Sequence, residues 1–282
     1  MGATFVITLR EGFEAALLLG IIYAYLAQTD LRRYHHWVTT GALLGVAASI
    51  LLGVIVSFLS GPLLDIGPDL IAAGVMLLAV LLLTWHAWWM QQHARAISGQ
   101  VHRQIDEARA SGRLSVIAVL AFTAVFREGA ETVLFLWGLM TQVPMSGMQG
   151  LAGATGGIAA AAVLGWLVFN GGRRIPVRRF FAVTTVLLVL VAAGLLASAL
   201  ARFDNLGYVP STQTLWDTSW LLEDGKGLGG FLAGLIGYRA RPTLLEAGAW
   251  LVYVVTIGAV LWGPRRARPA ARSISSPEVA HR

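Results

Sequence analysis

Apolar residues in this chain gather into seven long blocks, at about residues 3–28, 38–60, 67–90, 114–142, 147–169, 179–202 and 244–263. Each has roughly the 20 residues that an α-helix needs to cross a bilayer. The pattern predicts an all-α polytopic membrane protein with seven transmembrane helices. The second and fifth blocks, GALLGVAASILLG and GLAGATGGIAAAAVLG, are rich in Gly and Ala, which lets helices pack closely. A shorter apolar stretch at 228–238 is too short to span. It is read either as an interfacial or re-entrant helix over the outer mouth, anchored by Trp216, Trp220 and Tyr238, or as a loop packed on the bundle.

Two blocks are interrupted by charge. Residues 10–14 read REGFE and residues 127–131 read REGAE, the first and fourth blocks carrying one motif each. On a helix, positions three and four apart share a face, so Arg10, Glu11 and Glu14 project together, as do Arg127, Glu128 and Glu131. Both motifs lie on the order of 10 Å or more inside the nearer membrane face. A charged residue that deep costs roughly 2.5–3.5 kcal/mol even on lenient insertion scales, so neither set is expected to face lipid.

Composition agrees with a membrane location: 56% of the residues are apolar and 13% charged, against roughly 25% charged in a soluble domain. The net charge of +6 follows topology and implies no nucleic-acid partner. Arg32 and Arg33 follow the first block, Arg95, Arg103, Arg109 and Arg113 the third, and Arg173, Arg174, Arg178 and Arg179 the fifth. Five more arginines lie in the tail, while the connections after the second and fourth blocks have no Lys or Arg. Positive loops stay cytoplasmic, which places the N-terminus outside and the C-terminus in the cytoplasm. The long segment between the sixth and seventh blocks, with Arg202, Lys226, Arg239 and Arg241, departs from the alternation, as long loops do. The charges of the first block lie within it rather than before it, so it is read as a retained helix and not a signal peptide.

This orientation sets the two motif helices antiparallel, each opening a group of three. The expected organisation is a 3+3 inverted repeat: 1–92, a cytoplasmic connection at 93–113, then 114–203. An extracytoplasmic loop at 204–241, a seventh helix at 242–264 and a disordered basic tail at 265–282 follow. Inverted repeats bind substrate near the midplane between their halves.

Four carboxylates and two guanidiniums converging there leave two negative charges uncompensated, and such a cluster suits a hard cation: iron, Mn²⁺, Mg²⁺ or Ca²⁺. Each Arg can hold one carboxylate in position. Gly12 and Gly129 leave room beside the backbone for a partner helix or a hydrated ion. The competing reading is that buried Arg–Glu pairs only lock helices together, with surplus carboxylates protonated. The chain has no cysteine, which removes thiolate and iron–sulfur sites.

The doubled R-E-G-x-E motif, in the first and fourth of seven spans, resembles the oxidase-dependent iron permeases, the family of the fungal high-affinity iron permeases and of the permeases of bacterial Efe iron-uptake systems. The likeness covers nearly the whole chain. It implies iron import across the plasma membrane, the inner membrane in a bacterium, with Glu11, Glu14, Glu128 and Glu131 as metal ligands and Arg10 and Arg127 in the same site. It also implies iron, as Fe²⁺ or Fe³⁺, as substrate with no permanently bound cofactor. Extracytoplasmic iron-binding or oxidase proteins would be separate partners. Family members commonly carry Leu at the fourth motif position, where this chain has Phe13 and Ala130. The acidic exoplasmic motif of fungal members is not present as such; Asp217, Glu223 and Asp224 are the candidate entrance residues instead.

Other classes fit less well. An intramembrane zinc protease needs H-E-x-x-H, which the sequence lacks. Di-iron ferroxidases use E-x-x-H elements, and the only one here joins Glu278 to His281 in the tail. Transport of another divalent metal, Mn²⁺ or Pb²⁺, and a proton-coupled cation antiporter remain open. Of the histidines, His35, His36, His93 and His102 fall in basic connections; His86, in LTWHAWWMQQH near the inner end of the third block, is the one candidate exit-side ligand.

Overall fold

The computed structural model describes residues 1–93, 97–113, 115–142, 147–170, 177–224 and 227–263. Among them are nine α-helices: α1 (Gly2–Gln28), α2 (His35–Ile66), α3 (Pro68–His93), α4 (Ile97–Ala110), α5 (Val116–Gln142), α6 (Gly147–Asn170), α7 (Val177–Asn205), α8 (Gly227–Ile236) and α9 (Leu244–Trp262). The expected 265–282 tail lies outside the described residues, as do Arg95, Arg173, Arg174 and Lys226.

Local chemistry sets the helix ends. α1 stops where Asp30 adopts a positive φ of 58°, and a 3₁₀ turn at Arg32–Tyr34 leads into α2. Only Gly67 separates α2 from α3, which begins on Pro68, where the missing N–H costs nothing. α9 opens with a reciprocal cap: the Thr243 hydroxyl accepts from Glu246 N at 3.3 Å and the Glu246 carboxylate accepts from Thr243 N at 3.0 Å. That cap accounts for a buried acid outside the motifs.

Helices α2, α3, α6, α7 and α9 each contain a segment long and apolar enough to cross a membrane. The outer faces of α2, α6 and α9 expose residues such as Leu43, Ile50, Phe58, Ile158, Val163, Val252 and Val255, as helices facing lipid do. The centre is tightly packed around α7, where Val191, Ala192, Ala193, Leu195 and Ala199 have no exposed surface. Helix α4 is amphipathic and tucks under the bundle: Ile105 is buried with Ile22, Leu26 and Ile117, and Tyr25 stacks on His102 and donates to Asp106. The 228–238 stretch is helical through Ile236, and Phe231 of α8 covers Gly2 of α1.

The helices that carry the motifs are held by two matching ladders of small residues. Along α2, Gly41 meets the Ala118 carbonyl, Gly45 the Phe122 carbonyl, Ser49 meets Gly129, and Gly53 meets Val133, all on α5. Along α6, Gly153 meets the Met1 carbonyl, Gly157 the Phe5 carbonyl, Ala161 meets Gly12, and Gly165 meets Ala16, at the start and middle of α1. The α1 and α5 partners of each rung are separated along the chain by the same distance as Arg10 and Arg127. Both ladders rise in the same direction on their two helices, so α2 runs parallel to α5 and α6 parallel to α1. Since α1 and α2 form a short-looped hairpin, α5 runs opposite to α1.

Small residues every fourth position bring backbones together because nothing larger fits between them. A Cβ on Gly41 would lie 2.1 Å from the Ala118 carbonyl oxygen, whereas one on Gly53 would meet only Val133 Cγ2 at 3.5 Å. Gly41→Ala is therefore expected to lower the thermal stability of detergent-solubilised protein by about 1–3 kcal/mol. Gly53→Ala should stay within about 1 kcal/mol of wild type. Equal melting curves for the two variants would contradict the ladder.

Candidate functional site

The two motifs meet at mid-depth. At 1.5 Å per residue, Glu11 lies about 14 Å along α1 from Gly2, and Glu128 about 18 Å along α5 from Val116. Arg10 is fully buried: its Nη1 donates to Glu11 Oε1 at 2.6 Å and its Nη2 lies 2.9 Å from Glu14 Oε1. These contacts join residues on one turn of α1, leaving Glu11 Oε2 and Glu14 Oε2 free to point inward. On α5, Arg127 Nε donates to Glu131 Oε1 at 3.0 Å and lies 3.8 Å from Glu128 Oε1.

Gly12 and Gly129 do not face the other motif. Their missing side chains admit Ala161 of α6 and Ser49 of α2, so both serve the helix contacts that fix the motif helices.

His86 of α3 completes the group. Expected on the exit side, it sits between the motifs, only 3% exposed: its Nε2 lies 3.5 Å from Glu14 Oε2 and 4.0 Å from Glu11 Oε2, and its Nδ1 touches Glu131 Oε2. Glu11, His86, Glu128 and Glu131 each offer a ligand atom within 4.8 Å of the others. Opposite ligands of a six-coordinate ion with bonds of about 2.1 Å stand about 4.2 Å apart, so a small closure would bring all four onto one ion. Glu11 Oε2, Glu128 Oε2 and His86 Nε2 are buried without a properly aligned hydrogen bond. Buried polar atoms are normally satisfied, and a cation would satisfy this set. Hard carboxylate oxygens with one imidazole fit iron and other divalent first-row metals.

The motifs differ in their surroundings. Phe13 packs against Phe180 and Phe181 of α7 and helps seal the Arg10 side. The Arg127 side chain is 45% exposed and lies over the Trp89 ring, 4.2 Å from its centroid. It borders a cavity of about 380 Å³ between α3 and α5, lined also by Trp85, His86, Glu131 and Phe135. Trp89 was not singled out from the sequence; its signal is the four-residue spacing from Trp85 within WHAWW.

The entrance candidates lie apart, in the 204–241 loop, and are tied to it. Asp217 pairs with Arg241 at 2.9 Å and accepts from Ser219 Oγ and N. Those bonds hold its carboxyl down at about 2, so it is charged at any physiological pH. Asp224 accepts from Ala240 N at 2.5 Å; Glu223 has its backbone against Gly229 of α8. Where α7 runs into that loop, Arg202 pairs with Asp69 of α3 and donates to the Thr141 carbonyl of α5.

An all-helical bundle with apolar outer faces and a buried cluster of ionisable groups defines a multi-pass membrane protein. The chain belongs to the iron permease FTR1 family, whose profile it matches over residues 1–268. It is 33% identical over 278 residues to the ferrous iron permease EfeU of Escherichia coli O6:K15:H31 (strain 536 / UPEC), covering 97% of this chain and all of that one. It is 30% identical over 283 residues to the ferrous iron permease EfeU of Yersinia pestis, covering 98% of this chain and all of that one. No solved structure matches it. The protein is a multi-pass permease of the plasma membrane.

Proposed function

We propose that this protein imports iron across the plasma membrane, taking ferrous iron as the names of its relatives describe, through a site formed by Glu11, Glu14, Glu128 and Glu131. The carrying observation is the convergence, from both motifs, of buried carboxylate oxygens that lack aligned hydrogen bonds. Arg10 and Arg127 orient one carboxylate or more each and keep the four acids from repelling one another apart.

The transport pathway follows from seven spans arranged as a 3+3 inverted repeat. Beside the five apolar helices, α1 and α5 have 27 residues each, about 40 Å of helix, with their charges turned inward. The rung-for-rung agreement of the two ladders supports the repeat, and the arginine distribution supports an outside N-terminus. Uptake of ⁵⁵Fe²⁺ into liposomes containing only the purified protein tests the reading, with Fe³⁺, Mn²⁺ and Pb²⁺ compared with and without a proton gradient. Fe²⁺ uptake is expected to exceed the others; preference for Mn²⁺ or Pb²⁺ would reassign the substrate. Omitting any oxidase from this assay also reports whether separate extracytoplasmic proteins are needed.

Orientation has its own measurement, because the chain contains no cysteine. In intact cells an impermeant thiol reagent should label Ser211→Cys and Ser60→Cys. Ser111→Cys should be labelled only after permeabilisation. Labelling of Ser111→Cys and Ser211→Cys from the same side would remove the inverted repeat.

A further inference from the structure

His86 faces carboxylates on both sides of its ring, an arrangement open to two chemistries: an imidazolium that donates to both sides, or a neutral ring that donates to one side and offers its other nitrogen to a cation. A neutral imidazole has one N–H and one lone pair, so it can donate to the acids of α1 or to the acid of α5, not to both. The side that does not donate then presents a lone pair to carboxylate oxygens. In the neutral ring, donation from Nδ1 to Glu131 Oε2 leaves the Nε2 lone pair on the side of Glu14 Oε2 and Glu11 Oε2, which lie 3.5 and 4.0 Å from it. Ligand atoms sharing one ion with bonds of about 2.1 Å stand about 3.0 Å apart when adjacent and about 4.2 Å apart when opposite. The two separations fall inside that bracket.

We propose that His86 is a nitrogen ligand to the transported ion, completing the carboxylate site of the two motifs and selecting Fe²⁺ over Mg²⁺ and Ca²⁺. The inference rests on the reading of that site as the place where the ion binds. Metal-bound histidines commonly donate their second N–H to a carboxylate, which fixes ring and tautomer, and Glu131 stands in that position. Glu131 keeps lone pairs for the ion, since each carboxylate oxygen has more than one. Imidazole favours iron, nickel and zinc, whereas an all-oxygen site suits Mg²⁺, Ca²⁺ and Mn²⁺ equally well or better. α3 thus contributes a chemical type of ligand that neither motif contains.

The test uses full-length protein in detergent with one equivalent of Mn²⁺, a hard ion that isolated surface imidazoles hold poorly. Pulsed EPR should show ¹⁴N modulation from an imidazole bound to Mn²⁺. The modulation should vanish in His86→Gln and persist in His102→Gln. In liposomes His86→Gln should lose about tenfold in apparent Fe²⁺ affinity, roughly 1.4 kcal/mol. Inhibition of that uptake by Ni²⁺ should weaken in parallel, while inhibition by Mn²⁺ is retained. Mn²⁺ that binds in a Glu128-dependent manner without ¹⁴N modulation, or with modulation that survives in His86→Gln, overturns the role of His86 alone. Mn²⁺ binding indifferent to Glu128→Gln overturns the carboxylate site itself, so the two failures are distinguishable.

Discussion

Glu128→Gln is expected nearly to abolish Fe²⁺ uptake at limiting iron while leaving the protein folded and in the membrane. Glu128 is 4% exposed, and its nearest guanidinium contact is Arg127 Nε at 3.8 Å, too long for a hydrogen bond. Of the four motif acids it therefore gives up the least protein-internal pairing when its charge is removed. A charge-assisted interaction contributes about 1.5–3 kcal/mol, so losing one ligand should weaken ion binding by roughly 10–100-fold. Removing a buried charge that lacks a close partner should also leave thermal stability unchanged or raised. Uptake is read by ⁵⁵Fe²⁺ accumulation and folding by size-exclusion elution and melting in detergent. Normal uptake by a well-folded Glu128→Gln protein would sink the proposal.

Arg10→Ala and Arg127→Ala should behave differently although the two residues occupy the same motif position. Arg10 has no exposed surface and touches both Glu11 and Glu14. Its removal strands two buried carboxylates and should cost about 3–5 kcal/mol of stability. Arg127 is half-exposed at the cavity wall, with a shorter list of buried partners. Its loss forfeits the contact with Trp89, about 0.5–2 kcal/mol, together with the bond to Glu131. Arg10→Ala is thus expected to melt several degrees below Arg127→Ala, whereas both lose uptake. Indistinguishable melting temperatures would mean that the difference in burial has no energetic weight.

The long helices were legible from hydrophobic blocks alone. The fifth block, expected at 147–169, forms Gly147–Asn170; the second, expected at 38–60, runs from His35 to Ile66. A block ends where the bilayer ends, but backbone hydrogen bonding continues through the headgroup region, so helices overrun the apolar pattern. That the motif charges turn into the bundle was also legible for Arg10, Glu11, Glu14 and Glu128, because intramembrane charge is costly and stands out against Leu and Ala. His86 was read among tryptophans as an exit-side group, since one sequence position does not tell how deeply α3 leans into the bundle. Gly12 and Gly129 were expected either to admit a partner helix or to leave space for an ion, and the helix reading matches their contacts with Ala161 and Ser49. Which helix meets which was not readable, since small-residue ladders carry no charge or pattern that names a partner. The unequal burial of Arg10 and Arg127 was hidden for a related reason: identical motifs say nothing about the neighbours that cover them.

The ladders have a mechanical consequence. Contacts in which backbone oxygen atoms lie where a methyl group would clash permit little sliding, so α1 and α6 behave as one solid piece and α5 and α2 as another. Each piece takes one helix from the first half of the chain and one from the second. Any rearrangement that opens the acid cluster to either side of the membrane must then pull α1 with α6 away from α5 with α2. A seam of that kind would run across both halves of the sequence and through the cluster, with His86 of α3 at its edge.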